Sequence, residues 1–213
     1  MKNTKKIARC TLALCVVVAL SVGGTLAYLS MSTNTKTNTF TFVGVNAAGL
    51  DAELQEPAWD ALPDADGDGI PDDAESMVPG RAVTKDPVVV NTGTISEYVG
   101  LKVSFTKNDG TAYTDAEVAT LLANITIDWN TTDWTRYTGT ATSAEQYFYY
   151  NTALDSGDTT AQLFSQFSVN TDASTAVLTS LSTDGLKIVI AGSAVQTEGI
   201  ATAAAASTEF SYA

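Results

Sequence analysis

Residues 97 to 106, EYVGLKVSFT, place apolar side chains at every second position. Val99, Leu101, Val103 and Phe105 fall on one side, and Tyr98, Gly100, Lys102 and Ser104 on the other. A period of two is that of a strand with one buried face, and ten residues of it leave no helical reading. Similar short runs recur in TNTFTFVGV (with Phe40 and Phe42), RAVTKDPVVVNTG ending at Gly93, NITIDW (with Ile125, Ile127 and Trp129), QYFYYN, AQLFSQFSV and GLKIVIAGSAVQTEG. Gly, Asn and Asp turns separate them. At least seven strands of this kind predict an all-β chain folded as a β-sandwich. Pro87 cannot donate to a ladder, so within its run it predicts an edge strand or a bulge.

One or two short helices are expected besides. TDAEVATLLANI has Thr114 and Glu117 at capping-box spacing and Val118, Leu121 and Leu122 on one side, as a helix crossing the sandwich requires. The alanine-rich end, ATAAAASTEFSYA, fits either a last short helix or a tail.

The first residues read differently. Lys2, Lys5, Lys6 and Arg9 precede an apolar stretch from about Ile7 to Val22, and small residues follow, ending in Thr25-Leu26-Ala27. That order is the signature of a secretory signal peptide over residues 1–27, cut between Ala27 and Tyr28. An uncleaved anchor is the competing reading, although the apolar stretch is shorter than the roughly 20 residues a spanning helix needs. Cleavage removes both cysteines, Cys10 and Cys15, and four of the eleven basic residues. Leu14 stands before Cys15 where a lipoprotein cysteine follows a small residue, so lipidation is not expected. The expected product is secreted, without thiols and without a stable membrane anchor. The net charge, −13 for the whole chain, argues against nucleic acid and anionic lipid as partners.

Beyond the signal peptide there is neither histidine nor cysteine. Zinc-protease motifs, Ser-His-Asp triads and Cys-His dyads therefore cannot be built within the chain. Asp155-Ser156-Gly157 resembles half of an aspartic-protease signature, but its second half is missing, and a turn before a strand explains it equally well. No pair of carboxylates is singled out for glycosidase chemistry. The expectation is that the chain is not an enzyme.

The acidic stretch DADGDGIPDDAE, residues 64 to 75, is the clearest candidate site. A twelve-residue loop wraps calcium when acids stand at positions 1, 3, 5, 9 and 12, glycine at 6 and a carbonyl at 7. Asp64, Asp66, Asp68, Asp72 and Glu75 fill the acid positions, Gly69 the turn, and Ile70 offers its carbonyl. The loop resembles an EF-hand loop and the calcium loops of exported repeats. Its flanks, EPAWDALP and SMVPGRAV, do not read as the two helices of a full EF-hand, so a lone loop inserted in the sandwich is expected. A solvated acidic turn is the competing reading.

After cleavage the stretch YLSMSTNTKT would begin the chain, with Leu29, Met31 and Thr33 alternating against Tyr28, Ser30 and Ser32. Residues 28–36 could form a donor strand: eight extended residues reach about 26 Å, and burying Leu29 and Met31 in a neighbour would contribute roughly 1.5 to 3 kcal/mol each. A free tail is the competing reading. The sandwich domain would then span residues 37–213.

Three stretches together resemble the family of the biofilm-matrix fibre protein TasA and of camelysin. They are GGTLAYLS (23 to 30) with the nearby NTFTFVG, MVPGRAVTKDPVVVNTGTISEYVGLKVSF (77 to 105), and IAGSAVQTEGI (190 to 200). The resemblance implies processing by a SipW-type signal peptidase, a jelly-roll sandwich at the cell surface or in the matrix, and filaments in which subunits join by donor-strand exchange. It makes further copies of the chain, and other matrix or surface proteins, the expected partners. Camelysin's protease activity is not carried over, because histidine is missing. The alternative function is a monomeric, calcium-binding surface adhesion module whose binding face lies on Trp129, Trp134, Tyr137, Tyr147, Phe148, Tyr149 and Tyr150.

Overall fold

A computed structural model describes residues 30–32, 40–41, 49–65, 67, 70–75, 77–139 and 141–212. The signal peptide, residues 1–27, and its cut between Ala27 and Tyr28 lie outside the described residues, as does Leu29. No helix among the described residues is long and apolar enough to cross a membrane.

The alternating run 97 to 106 forms strand β6 (Glu97–Thr106), the middle of a five-stranded antiparallel sheet. Its partner over the full length is β11 (Lys187–Gln196), which pairs from Lys187↔Thr106 to Gln196↔Glu97. On the other side lie β9 (Glu145–Tyr150) and then β8 (Trp134–Tyr137). The short β1 (Ser30–Ser32) pairs with β11 at the opposite edge. Two three-stranded sheets hold the remaining strands among the described residues. One orders β2 (Phe40–Thr41), β3 (Ala52–Gln55) and β5 (Val88–Asn91); the other orders β4 (Ala82–Thr84), β10 (Gln166–Val169) and β7 (Ile125–Ile127). Every strand pair is antiparallel.

The three sheets bury their inner faces in one core. Leu54 and Val89 come from the β2-β3-β5 sheet, Val83 and Phe167 from the β4-β10-β7 sheet, and Leu101, Phe105 and Ile190 from the five-stranded sheet. The all-β expectation therefore holds at the level of antiparallel sheets around a shared core. Trp129 stacks on Phe148 at 4.8 Å and meets Phe164 edge-on at 5.2 Å, and Trp134 meets Tyr150 at 5.1 Å.

Helix α3 (Asp115–Leu122) has the capping box read from Thr114 and Glu117: the Thr114 side chain accepts from the Glu117 N–H, and the Glu117 carboxylate accepts from the Thr114 N–H. Helical content exceeds the one or two helices expected. Single turns form at α1 (Pro57–Asp60), α2 (Asp72–Glu75) and α5 (Ala203–Ala206), and a ten-residue helix, α4 (Thr175–Asp184), fills a stretch left unassigned. Ser174 caps α4, and Gly185 at φ 72° ends it.

The stretch 81 to 93 is not one strand. Its first half pairs in one three-stranded sheet and its second in the other; Pro87 stands just before β5, an edge strand of its sheet, so the edge alternative holds although the run is not one strand.

Candidate functional site

Three places on this frame carry chemistry. The first is the acidic loop. Pro71 opens the single turn α2, and the loop folds onto its own backbone. The Asp64 carboxylate accepts from the Gly67 N–H at 2.7 Å, and the Asp72 carboxylate from the Ala65 N–H at 3.0 Å. The Asp73 carboxylate pairs with the Arg81 guanidinium. Of the six residues expected to hold calcium, Asp64, Ile70, Asp72 and Glu75 are described, while Asp66 and Asp68, like the turn residue Gly69, lie outside the described residues. Among the described residues no three Asp or Glu side chains converge as a metal-binding group. Of the two flanks, EPAWDALP holds the single turn α1 and the other leads into β4, while the turn α2 belongs to the loop itself.

Lys85 and Glu56 form an ion pair that the sequence did not single out. Both are buried, and the Lys85 Nζ lies 2.6 and 2.7 Å from the two oxygens of Glu56 and 4.6 Å from the centre of the Trp59 ring. The buried Asp86 carboxylate accepts from the Ala58 and Trp59 N–H groups and so caps α1. Burial pushes the Glu56 carboxyl above its usual value, against the pull of Lys85. This knot fixes where the acidic loop departs from the sheets.

The second place is the edge of the five-stranded sheet. Strand β1 stands against β11 with Ser30 opposite Val195, Met31 opposite Ala194 and Ser32 opposite Ser193. Ala194 belongs to the inward set of β11, so the Met31 register position is a core-side one. Residues 187 to 192 of β11 have no strand on that side among the described residues.

The third place is the outer face of the same sheet, where the expected aromatic face divides. Trp129, Trp134, Phe148 and Tyr150 pack with the core, whereas Tyr137, Tyr147 and Tyr149 occupy outward positions. Register places Tyr137, Tyr147 and Lys102 in one row across three strands, and Thr135, Tyr149 and Gly100 in the next. The C-terminal segment lies over this face. Phe210 and Tyr212 cover Gly100, where an added Cβ would stand 2.7 Å from the Phe210 ring, and the Ser211 N–H donates to the Ser193 hydroxyl at 3.0 Å. Glycine is thus required at position 100 by close approach.

Glu97 is a fourth residue of note. It continues the inward set of β6, is fully buried, and neither carboxylate oxygen has a hydrogen-bond partner among the described residues. Burial first, and the nearby Asp51 carboxylate second, push it up to about 8. Asp155-Ser156-Gly157 is a turn, as its alternative reading had it: Gly157 has φ 85°, the Asp158 N–H donates to the Asp155 carbonyl, and the Ser156 hydroxyl donates to the Gly93 carbonyl at 2.6 Å.

No family model, no curated protein and no solved structure matches this chain.

Proposed function

We propose that this chain is a secreted, non-catalytic structural protein of the TasA/camelysin type, a subunit of cell-surface or matrix filaments that join by donor-strand exchange, with calcium in the acidic loop. A SipW-type peptidase would release it by cutting between Ala27 and Tyr28.

The observation that carries the reading is the pairing of β1 with β11. It comes from the segment 28–36, in which Leu29 and Met31 were read as the donor residues, and it takes up three residues of a ten-residue edge strand. An edge strand is a template for another chain, and a short cover is readily replaced by the same segment of a neighbour. A jelly-roll order is part of the proposal. Its support is the way the chain alternates between sheets: β5 to β6, then β7, back to β8 and β9, out to β10 and back to β11. The calcium reading rests on the spacing of Asp64, Asp66, Asp68, Ile70, Asp72 and Glu75.

Electron microscopy tests the reading. The protein beginning at Tyr28 is expected to form filaments, and a version lacking residues 28–36 to stay monomeric. Unchanged filaments from the shortened protein would overturn donor-strand exchange.

A further inference from the structure

The outer face of the five-stranded sheet carries a groove of about 450 Å³ between its tyrosines and the C-terminal segment. Tyr137, Tyr147 and Tyr149 line its floor, and Phe210 and Tyr212 its wall, with the Tyr147 and Tyr212 ring centres 5.3 Å apart. Tyr137 and Tyr147 stand opposite each other in register on adjacent strands, and Tyr149 lies on the same surface one row on. Each tyrosine adds a hydroxyl at the rim of that surface, an apolar body with a polar tip. The charge of Lys102, which lines the groove, is balanced by a carboxylate beside it: the Lys102 Nζ lies 4.0 Å from the Glu145 carboxylate, which also accepts from the Tyr147 hydroxyl at 2.9 Å. A local balance of charge in so acidic a chain favours a ligand that is itself uncharged. Flat aromatic faces set among hydroxyls, an amine and a carboxylate suit a molecule with apolar C–H faces and many hydroxyls at its edges.

The geometry points to a binding site for a neutral polysaccharide on this face, with sugar rings stacked on Tyr137 and Tyr149 and hydroxyls bonded by Tyr147, Lys102 and Glu145. The site is on the opposite face of the sheet from the core and does not depend on the strand exchange at the β11 edge.

Isothermal titration of the purified protein with cellohexaose, maltohexaose and chitohexaose tests it, with polygalacturonate as the acidic control. At least one neutral hexasaccharide is expected to give saturable heat. Tyr137→Leu and Tyr149→Leu keep apolar volume but remove the ring, and each is expected to weaken binding at least tenfold with unchanged circular dichroism. Tyr149→Phe, which keeps the ring, is expected to stay close to wild type and holds the test open if a leucine variant misfolds. Silence with all three sugars, binding of polygalacturonate alone, or leucine variants that titrate like wild type would each overturn the site. Filament formation is read separately by microscopy, so a failure here leaves that reading standing.

Discussion

Glu97 meets two opposing demands. Its strand position sends it inward with Val99 and Leu101, while its charge calls for a partner, and among the described residues its carboxylate oxygens have none. The carboxyl answers by holding its proton to about pH 8. A carboxyl whose folded pKa is raised binds more protons folded than unfolded, so stability is greatest below the unfolded value of 4.5. It then falls as pH rises toward 8. The loss over that window is roughly 3 to 5 kcal/mol. Glu97→Gln keeps the shape and removes the titration, so urea unfolding is expected to show a flatter pH dependence for the variant and a variant more stable than wild type at pH 8. Parallel curves for the two proteins would mean that Glu97 finds a partner in solution. Asp109, Asp115 and Glu117 are pulled the other way, chiefly by backbone N–H groups, but they are exposed, and their effect falls at lower pH. The alternation of the strand already puts Glu97 on the side of Val99, but its full burial was not legible in the sequence, because what packs over that end of the strand is decided by tertiary contacts.

Among elements, strong local signals were the readable ones. The alternation of β6 and the capping box of α3 each name a structure by their own chemistry, and both form where expected. The helix α4 was missed because its threonines, serines and valine have weak helix propensity, although Ser174 before it and Gly185 after it are ordinary boundary signals. The edge position read from Pro87 holds, since β4 and β5 are both sheet edges, but the run around it hides a change of sheet, which only tertiary pairing decides. The acidic loop was legible as a spacing, and its hydrogen bonds from Gly67 to Asp64 and from Ala65 to Asp72 draw its two ends together. If calcium binds with a dissociation constant of roughly 10⁻⁴ to 10⁻³ M, then about 1 mM of it stabilises the fold by about 0.4 to 1.4 kcal/mol. For a chain of this size that raises the melting temperature by roughly 1 to 5 °C. The rise is expected in wild type and absent from an Asp66→Ala, Glu75→Ala variant; equal rises in both would remove the ion from the loop.

For the whole molecule, the consequential feature is that the five-stranded sheet is closed by a strand of the same chain. Three residue pairs hold that strand in place. In the proposed filament, a subunit that carries its own plug would be latent and would polymerise only once that strand is displaced. Growth of a filament from such subunits waits on the plug's departure, an event inside one molecule, and so its rate should stop rising with protein concentration once collisions outpace release. Light scattering across a concentration series is expected to show that plateau. The point of control then lies in Ser30, Met31 and Ser32, and because the same residues of a neighbour would take their place, a mutation that loosens their grip on β11 would weaken the plug and the join together.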